Sequence, residues 1–198
     1  VNAAAAVRAL LWLREGKKWE ITDEHIRLGL QAATLPVRFQ VLKASEATPG
    51  GEGLLVLDGA HTPVAARMLA LTLDEVFPKH KIALVVAMAR DKEHIGILQG
   101  LGAIEACEAI IFTEVKIAGS EIRAAPSAEL ERLAVQTLNR HNGEENLRKE
   151  VMKIKTAANM EEALRLARAQ VGTVGVVCVT GSLHAAAAAL SLWQVEQP

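Results

Sequence analysis

An α/β fold, with a mostly parallel sheet and helices on both faces, is predicted by two features of the sequence. Short continuous apolar runs recur at residues 54–57, 82–88, 109–113 and 174–180, as expected for strands covered on both sides. Segments of helical length alternate with these runs. Such alternation implies right-handed crossovers and a parallel sheet.

The elements follow in order. Residues 1–15 are Ala-rich and carry Val7, Leu10, Leu11 and Arg14 at helical spacing, which predicts a helix. Residues 15–18 read as its stop. Thr22 reads as the N-cap of a second helix, with Asp23 and Glu24 in the first turn and Ile26 and Leu30 on one apolar face. Leu35-Pro36 ends that pair, because a residue before proline avoids the α region. Residues 39–42 are a short strand candidate, and 46–53 hold the Pro and Gly of a turn. Helices are predicted at 63–77, 93–101, 127–141, 160–170 and 183–193, with a weaker strand at 151–155. Residues 139–149 are polar and charged and read as a solvated loop or helix end. Trp12, Trp19 and Trp193 read as fillers of local cores, or else as rings that pack against a domain outside this chain.

Composition narrows the function. The chain has 198 residues, enough for one domain or one domain plus part of another. Half is hydrophobic (51 %), which argues against disorder, and the net charge of −1 argues against a nucleic-acid partner. No apolar run approaches the ~20 residues of a membrane span. Cys107 and Cys178 are too few for a disulfide framework or a zinc site, and a reducing compartment is the default. No P-loop, no G-x-S-x-G and no histidine cluster with metal-ligand spacing occurs. The chain starts at Val1 rather than Met, so it reads as a piece of a longer protein.

In an open parallel sheet, ligands sit beyond the carboxyl ends of the strands. Four loops therefore matter. Leu57-Asp58-Gly59-Ala60-His61-Thr62-Pro63 ends a strand in a carboxylate, allows close backbone approach at Gly59, and starts a helix with proline. Asp58 suits sugar hydroxyls, but it could equally cap the helix and leave His61 a surface residue. Met88-Ala89-Arg90-Asp91-Lys92-Glu93 carries four charges in succession, for a phosphate or carboxylate, or else a solvated helix start capped by Asp91. Val179-Thr180-Gly181-Ser182-Leu183-His184 offers hydroxyls and backbone amides at a helix start, either a nest for an anion or a plain cap. In Leu35-Pro36-Val37-Arg38-Phe39-Gln40, Arg38 could reach a phosphate or simply sit beside a strand.

These four segments, in this order and preceded by Val1-Asn2-Ala3-Ala4-Ala5, resemble the C-terminal part of the folylpolyglutamate synthase and dihydrofolate synthase family, in the Mur ligase superfamily. The resemblance covers essentially the whole chain. It implies a Rossmann-like C-terminal domain over residues 35–198, with residues 1–34 as the last two helices of an N-terminal ATPase domain. The implied reaction is ATP-dependent. A folate-type carboxylate becomes an acyl phosphate, and the amino group of L-glutamate attacks it. The resemblance implies that Asp58 binds the ATP ribose, Arg38 the phosphates, and Asn2 lies near the nucleotide. His61 would sit at the phosphoryl group and the incoming glutamate as the catalytic residue. Ser182 and His184 would hold glutamate, with Asp91 and Lys92 lining the same cleft. ATP and magnesium are the implied cofactors, with the magnesium ligands mainly in the N-terminal domain. The implied partners are L-glutamate, a folate or pteroate substrate and the chain's own ATPase domain, in a cytoplasmic monomer, or an organellar one if the source is eukaryotic. Two positions depart from the family: Val37 stands where Gly is usual and Thr62 where Asn is usual. The chain alone is expected to be inactive. A non-catalytic ligand-binding paralogue and a Mur-type ligase for another carboxylate remain as alternatives.

Overall fold

The computed structural model describes residues 2–44, 51–115, 124–138 and 152–194. The stretch 139–149 and the turn residues 46–50 lie outside the described residues. The chain forms two compact units, Val1–Pro36 and Val37–Pro198. Among the described residues no helix is long and apolar enough to cross a membrane.

The first unit holds helices α1 (Asn2–Lys17) and α2 (Asp23–Ala32). Gly16 lies inside α1. The stop falls instead at Lys18, whose φ of 56° leaves the helical region. Thr22 caps α2 as expected. Its Oγ1 accepts from the His25 amide at 3.1 Å, and the His25 ring accepts in return from the Thr22 amide at 3.4 Å. Arg14 reaches across to Asp23 at 2.6 Å. Glu24 pairs with Arg27 one turn on, and that hydrogen bond holds the Glu24 carboxyl below its ordinary range. Within this unit Trp12 and Trp19 are 59 % and 58 % exposed, so they do not fill a local core. Lys17 Nζ lies 5.7 Å from the Trp12 ring centre instead. The Trp193 side chain lies outside the described residues.

The second unit is a six-stranded sheet. Its elements are β1 (Gln40–Ala44), β2 (Gly53–Leu57), α3 (Pro63–Val76), β3 (Ile82–Val86), α4 (His94–Leu101), β4 (Cys107–Phe112), α5 (Ser127–Leu138), β5 (Lys153–Thr156), α6 (Met160–Val171), β6 (Val176–Thr180) and α7 (Leu183–Gln194). The strand order is β1-β2-β6-β3-β4-β5. Every pairing is parallel except β1 with β2, which places an antiparallel strand at one edge. The sixth strand starts at Val176 rather than 174. Gly172 turns the chain at φ 67° and leaves Val174 82 % exposed.

Alternate strand residues feed two cores. Val56, Leu84, Val86, Ile110, Phe112 and Cys178 face α3, α4 and α5. Leu55, Leu57, Val85, Ile111, Val177 and Val179 face α6 and α7. The division follows from the path of the chain. Strands β3, β4 and β5 step outward one at a time with their helices on one face. The return to β6, inserted between β2 and β3, crosses the other face, which a right-handed connection requires. Ala185, Ala186 and Ala189 let α7 lie close on that face. Cys178 is fully buried. Burial first, and the Asp58 charge second, push its thiol well above the ordinary range, so it is inert in the folded chain.

Candidate functional site

The carboxyl ends of β2, β6 and β3 are laced together by backbone bonds. The Asp58 amide donates to the Val179 carbonyl at 3.0 Å, the Gly181 amide to Ala60 at 3.0 Å, and the Ala87 amide to Thr180 at 3.2 Å. Gly181, at φ 94°, passes so close to β3 that a Cβ would lie 2.8 Å from the Ala87 carbonyl oxygen. The three loops therefore form one continuous rim.

On that rim Asp58 has both oxygens engaged. Oδ1 accepts from the Ala60 amide and Oδ2 from the Phe39 amide, each at 2.8 Å. Asp58 is not the helix cap. Thr62 caps α3, accepting from the Ala65 amide at 3.3 Å. A carboxylate has about four lone-pair sites, so Asp58 can still accept from a hydroxyl. Its neighbour Gly59 has no room for a side chain. A Cβ there would collide with Leu183 and would lie 3.3 Å from Arg38 Nη1. Arg38, Gly59 and the first residue of α7 thus meet at one point. No described carboxylate pairs with the exposed Arg38 guanidinium.

His61 is half-buried, and its Nδ1 lies 2.7 Å from the Gly59 carbonyl oxygen. A carbonyl only accepts, so Nδ1 carries the hydrogen. In the uncharged ring Nε2 is then the acceptor. Ser182 is buried and caps α7, accepting from the Ala185 amide at 3.0 Å while its own hydrogen stays available. His184 is exposed in the first turn of α7. Asn2 opens α1, and its side chain lies outside the described residues.

Asp91 and Lys92 sit one strand along the same rim, after β3. They contact each other at 3.2 Å. Asp91 is not the cap of α4, because Glu93 is, accepting from the Gly96 amide at 3.1 Å. Two braces that the sequence did not reveal fix this loop. His94 Nε2 donates to the Ala89 carbonyl at 2.8 Å, and Arg90 Nε donates to the Ala124 carbonyl at 3.1 Å. One Arg90 donor is therefore committed to the fold. Among the described residues, no group of three or more His, Cys, Asp and Glu side chains comes together to hold a metal ion.

Val37 has φ 54° and Phe39 φ 44°, the left-handed region. A β-branched residue pays most there, roughly 1–2 kcal/mol. This is the cost of a Val where the resemblance leads to the expectation of Gly. Val37→Gly is expected to stabilise the folded chain by about 0.5–1 kcal/mol, the relieved strain less the added freedom of glycine when unfolded. Urea unfolding measures it, and a loss of stability would show that Val37 is not strained.

An α/β domain with polar loops gathered at one strand edge defines the class. The comparisons then place it. The family model described as Mur ligase, glutamate ligase domain, matches residues 37–183, and the chain belongs to that family. Its curated relatives are named as folylpolyglutamate and dihydrofolate synthases. A Haloferax volcanii protein named "Probable bifunctional folylpolyglutamate synthase/dihydropteroate synthase" is 32 % identical over 192 residues, which cover 97 % of this chain and 19 % of that protein. The Yersinia pestis bifunctional folylpolyglutamate synthase/dihydrofolate synthase, solved with AMPPNP and a Mn ion, is 30 % identical with a TM-score of 0.67, over 98 % of this chain and 38 % of that one. Escherichia coli FolC, solved with DHPP and ADP, shares the fold with a TM-score of 0.73 at 23 % identity, over all of this chain and 39 % of that one. This chain therefore spans well under half the length of the proteins it resembles.

Proposed function

We propose that this chain is the nucleotide- and glutamate-contacting part of an ATP-dependent ligase that joins L-glutamate to a folate-type carboxylate. The observation that carries this reading is the meeting of Arg38, Asp58, His61 and the start of α7 on one rim, in a chain whose family is the Mur ligase glutamate ligase domain.

The chemistry gives each group a task. A carboxylate is a poor electrophile. Bound ATP supplies a phosphoryl group that turns one carboxylate oxygen into a leaving group. Arg38, a planar fork with no carboxylate partner among the described residues, binds the phosphates. Asp58 uses its remaining lone pairs on the ribose hydroxyls. The glutamate nitrogen attacks the acyl carbon, the tetrahedral adduct expels phosphate, and the nitrogen loses a proton. His61 Nε2, left as the acceptor by the Nδ1 bond to Gly59, takes that proton. Ser182, His184, Asp91 and Lys92 hold the incoming amino acid. Asn2 lies beside the nucleotide. The ATPase domain supplies the remaining wall, and closure assembles the site. Residues 1–34 belong with that domain and residues 35–198 form the glutamate domain. A cytoplasmic monomer acting on small molecules completes the reading.

Calorimetric titration of the chain with ADP tests it. Arg38→Lys is expected to weaken binding about tenfold and Arg38→Ala up to about a hundredfold, the range for losing charge-assisted hydrogen bonds. An unchanged Kd in Arg38→Ala would remove Arg38 from the nucleotide. Failure to add L-glutamate to any pteroate or folate, once an active ATPase domain is supplied, would sink the substrate assignment.

A further inference from the structure

We propose that Asp58 is a positioning residue for Arg38, its carboxylate holding the left-handed Val37–Phe39 turn that presents the guanidinium at the rim. The function of that turn rests on the reading above, in which Arg38 serves the nucleotide phosphates.

The turn is an arrangement that the local sequence resists. Val37 at φ 54° and Phe39 at φ 44° flank Arg38, and neither is Gly, Asn or Asp. Such backbone persists only where the surroundings over-determine it. Three hydrogen bonds do so. The Val37 amide donates to Gln40 Oε1 at 3.0 Å, the Val37 carbonyl accepts from the Gly59 amide at 3.1 Å, and the Phe39 amide donates to Asp58 Oδ2 at 2.8 Å. Two of the three come from the loop that Asp58 begins. That loop is itself fixed, because Asp58 Oδ1 is held by the Ala60 amide at 2.8 Å. The Phe39 ring is anchored on the other side, stacked on Phe77 with centroids 6.4 Å apart. With both flanks pinned, only the Arg38 side chain is left to project, and its Nη1 lies beside Gly59. Asp58 reaches Arg38 through the backbone rather than through an ion pair.

A carboxylate is required for this. Its two oxygens face two N–H donors, whereas an Asn would turn an NH₂ toward one of them. The consequence is a dependence of phosphate affinity on Asp58 even when no ribose is present.

The test uses this chain with pyrophosphate and ADP as separate probes, together with amide exchange followed by NMR. In Asp58→Asn the Phe39 amide is expected to exchange at least tenfold faster, with β3 amides unchanged as the control for folding. Pyrophosphate is expected to bind about tenfold more weakly. Adding Val37→Gly, which accepts the left-handed turn without a pin, is expected to recover at least threefold of that loss. Should Asp58→Asn fail to fold by the β3 control, the Val37→Gly/Asp58→Asn chain is compared with Val37→Gly alone. Unchanged Phe39 exchange overturns the proposal. So does a loss of ADP affinity with pyrophosphate affinity intact, which would make Asp58 a ribose ligand only. Pyrophosphate binding that ignores Arg38→Ala instead sinks the nucleotide reading, while the exchange result still decides whether Asp58 holds the turn.

Discussion

His61→Ala is expected to slow glutamate ligation about a hundredfold, the lower end for losing a positioned proton acceptor, in a ligase that joins this chain to an active ATPase domain. The affinity of the chain for ADP is expected to stay within about twofold, because no ground-state contact to the nucleotide is removed. The tautomer of the ring decides this role. The Gly59 carbonyl, 2.7 Å from Nδ1, fixes the hydrogen on that nitrogen and leaves Nε2 with the lone pair. Two near-isosteres separate this role from a packing role. In Gln the amide oxygen can take the place of Nε2, whereas in Asn the amide sits nearer the position of Nδ1. His61→Gln should therefore keep more of the rate than His61→Asn if Nε2 matters, and the order should reverse if the bond to Gly59 is all that counts. Single-turnover rates with preformed enzyme–nucleotide complex make the measurement. A rate equal to wild type in His61→Ala would reduce the ring to a loop residue.

The sequence carried the strands well, because a run such as 82–86 is buried on both faces and has to be apolar throughout. It could not carry the insertion of β6 between β2 and β3. Nothing in four apolar residues and a threonine says which strands flank them, and the position is fixed only when α6 crosses the opposite face. The candidate site stood in the sequence as a set of strings at strand ends and a junction: Arg38, Asp58, His61 and Ser182. Their local partners did not. Asp58 read equally as a cap or as a ligand for sugar hydroxyls, but its bond to the Phe39 amide spans 19 residues, and Thr62 does the capping. Val37 was visible as an oddity, but only the backbone angle shows that it is held in a left-handed turn. Trp12 and Trp19 misled for a simpler reason. Large apolar rings suggest a core, but helices α1 and α2 bury little between them, Ile26 being the buried side chain of α2.

Arg168 is the residue that sequence alone hides most completely, and its removal should cost the most stability. On α6 it reads as one more surface cation, yet it is only 8 % exposed. Nη1 donates to the carbonyls of Gly172 at 3.1 Å and Gly175 at 2.8 Å, and Nη2 to that of Leu54 at 2.8 Å. The guanidinium thus ties the end of α6 and the lead-in to β6 onto β2. Burial pulls its pKa below the usual arginine value, but a guanidinium remains charged at neutral pH. Gly53, at φ 134°, packs directly against it, and a Cβ there would collide with the guanidinium. Arg168→Met keeps the apolar stem but removes the side-chain donor to the carbonyls of Gly175 and Leu54, each costing about 1–3 kcal/mol where it is left unpaired, whereas the exposed Gly172 carbonyl keeps the Gly175 amide at 3.4 Å. With partial rescue by water the expected loss is about 3 kcal/mol, or a Tm lower by roughly 6–12 °C for a chain of this size. Gly53→Ala should displace the same group, so the double variant should lose less than the sum of the two singles. Thermal and urea unfolding of the four chains decide the matter. A loss below about 1 kcal/mol, or simple additivity, would mean that the Gly175 and Leu54 carbonyls find other donors and that Arg168 does not hold the β2–β6 junction.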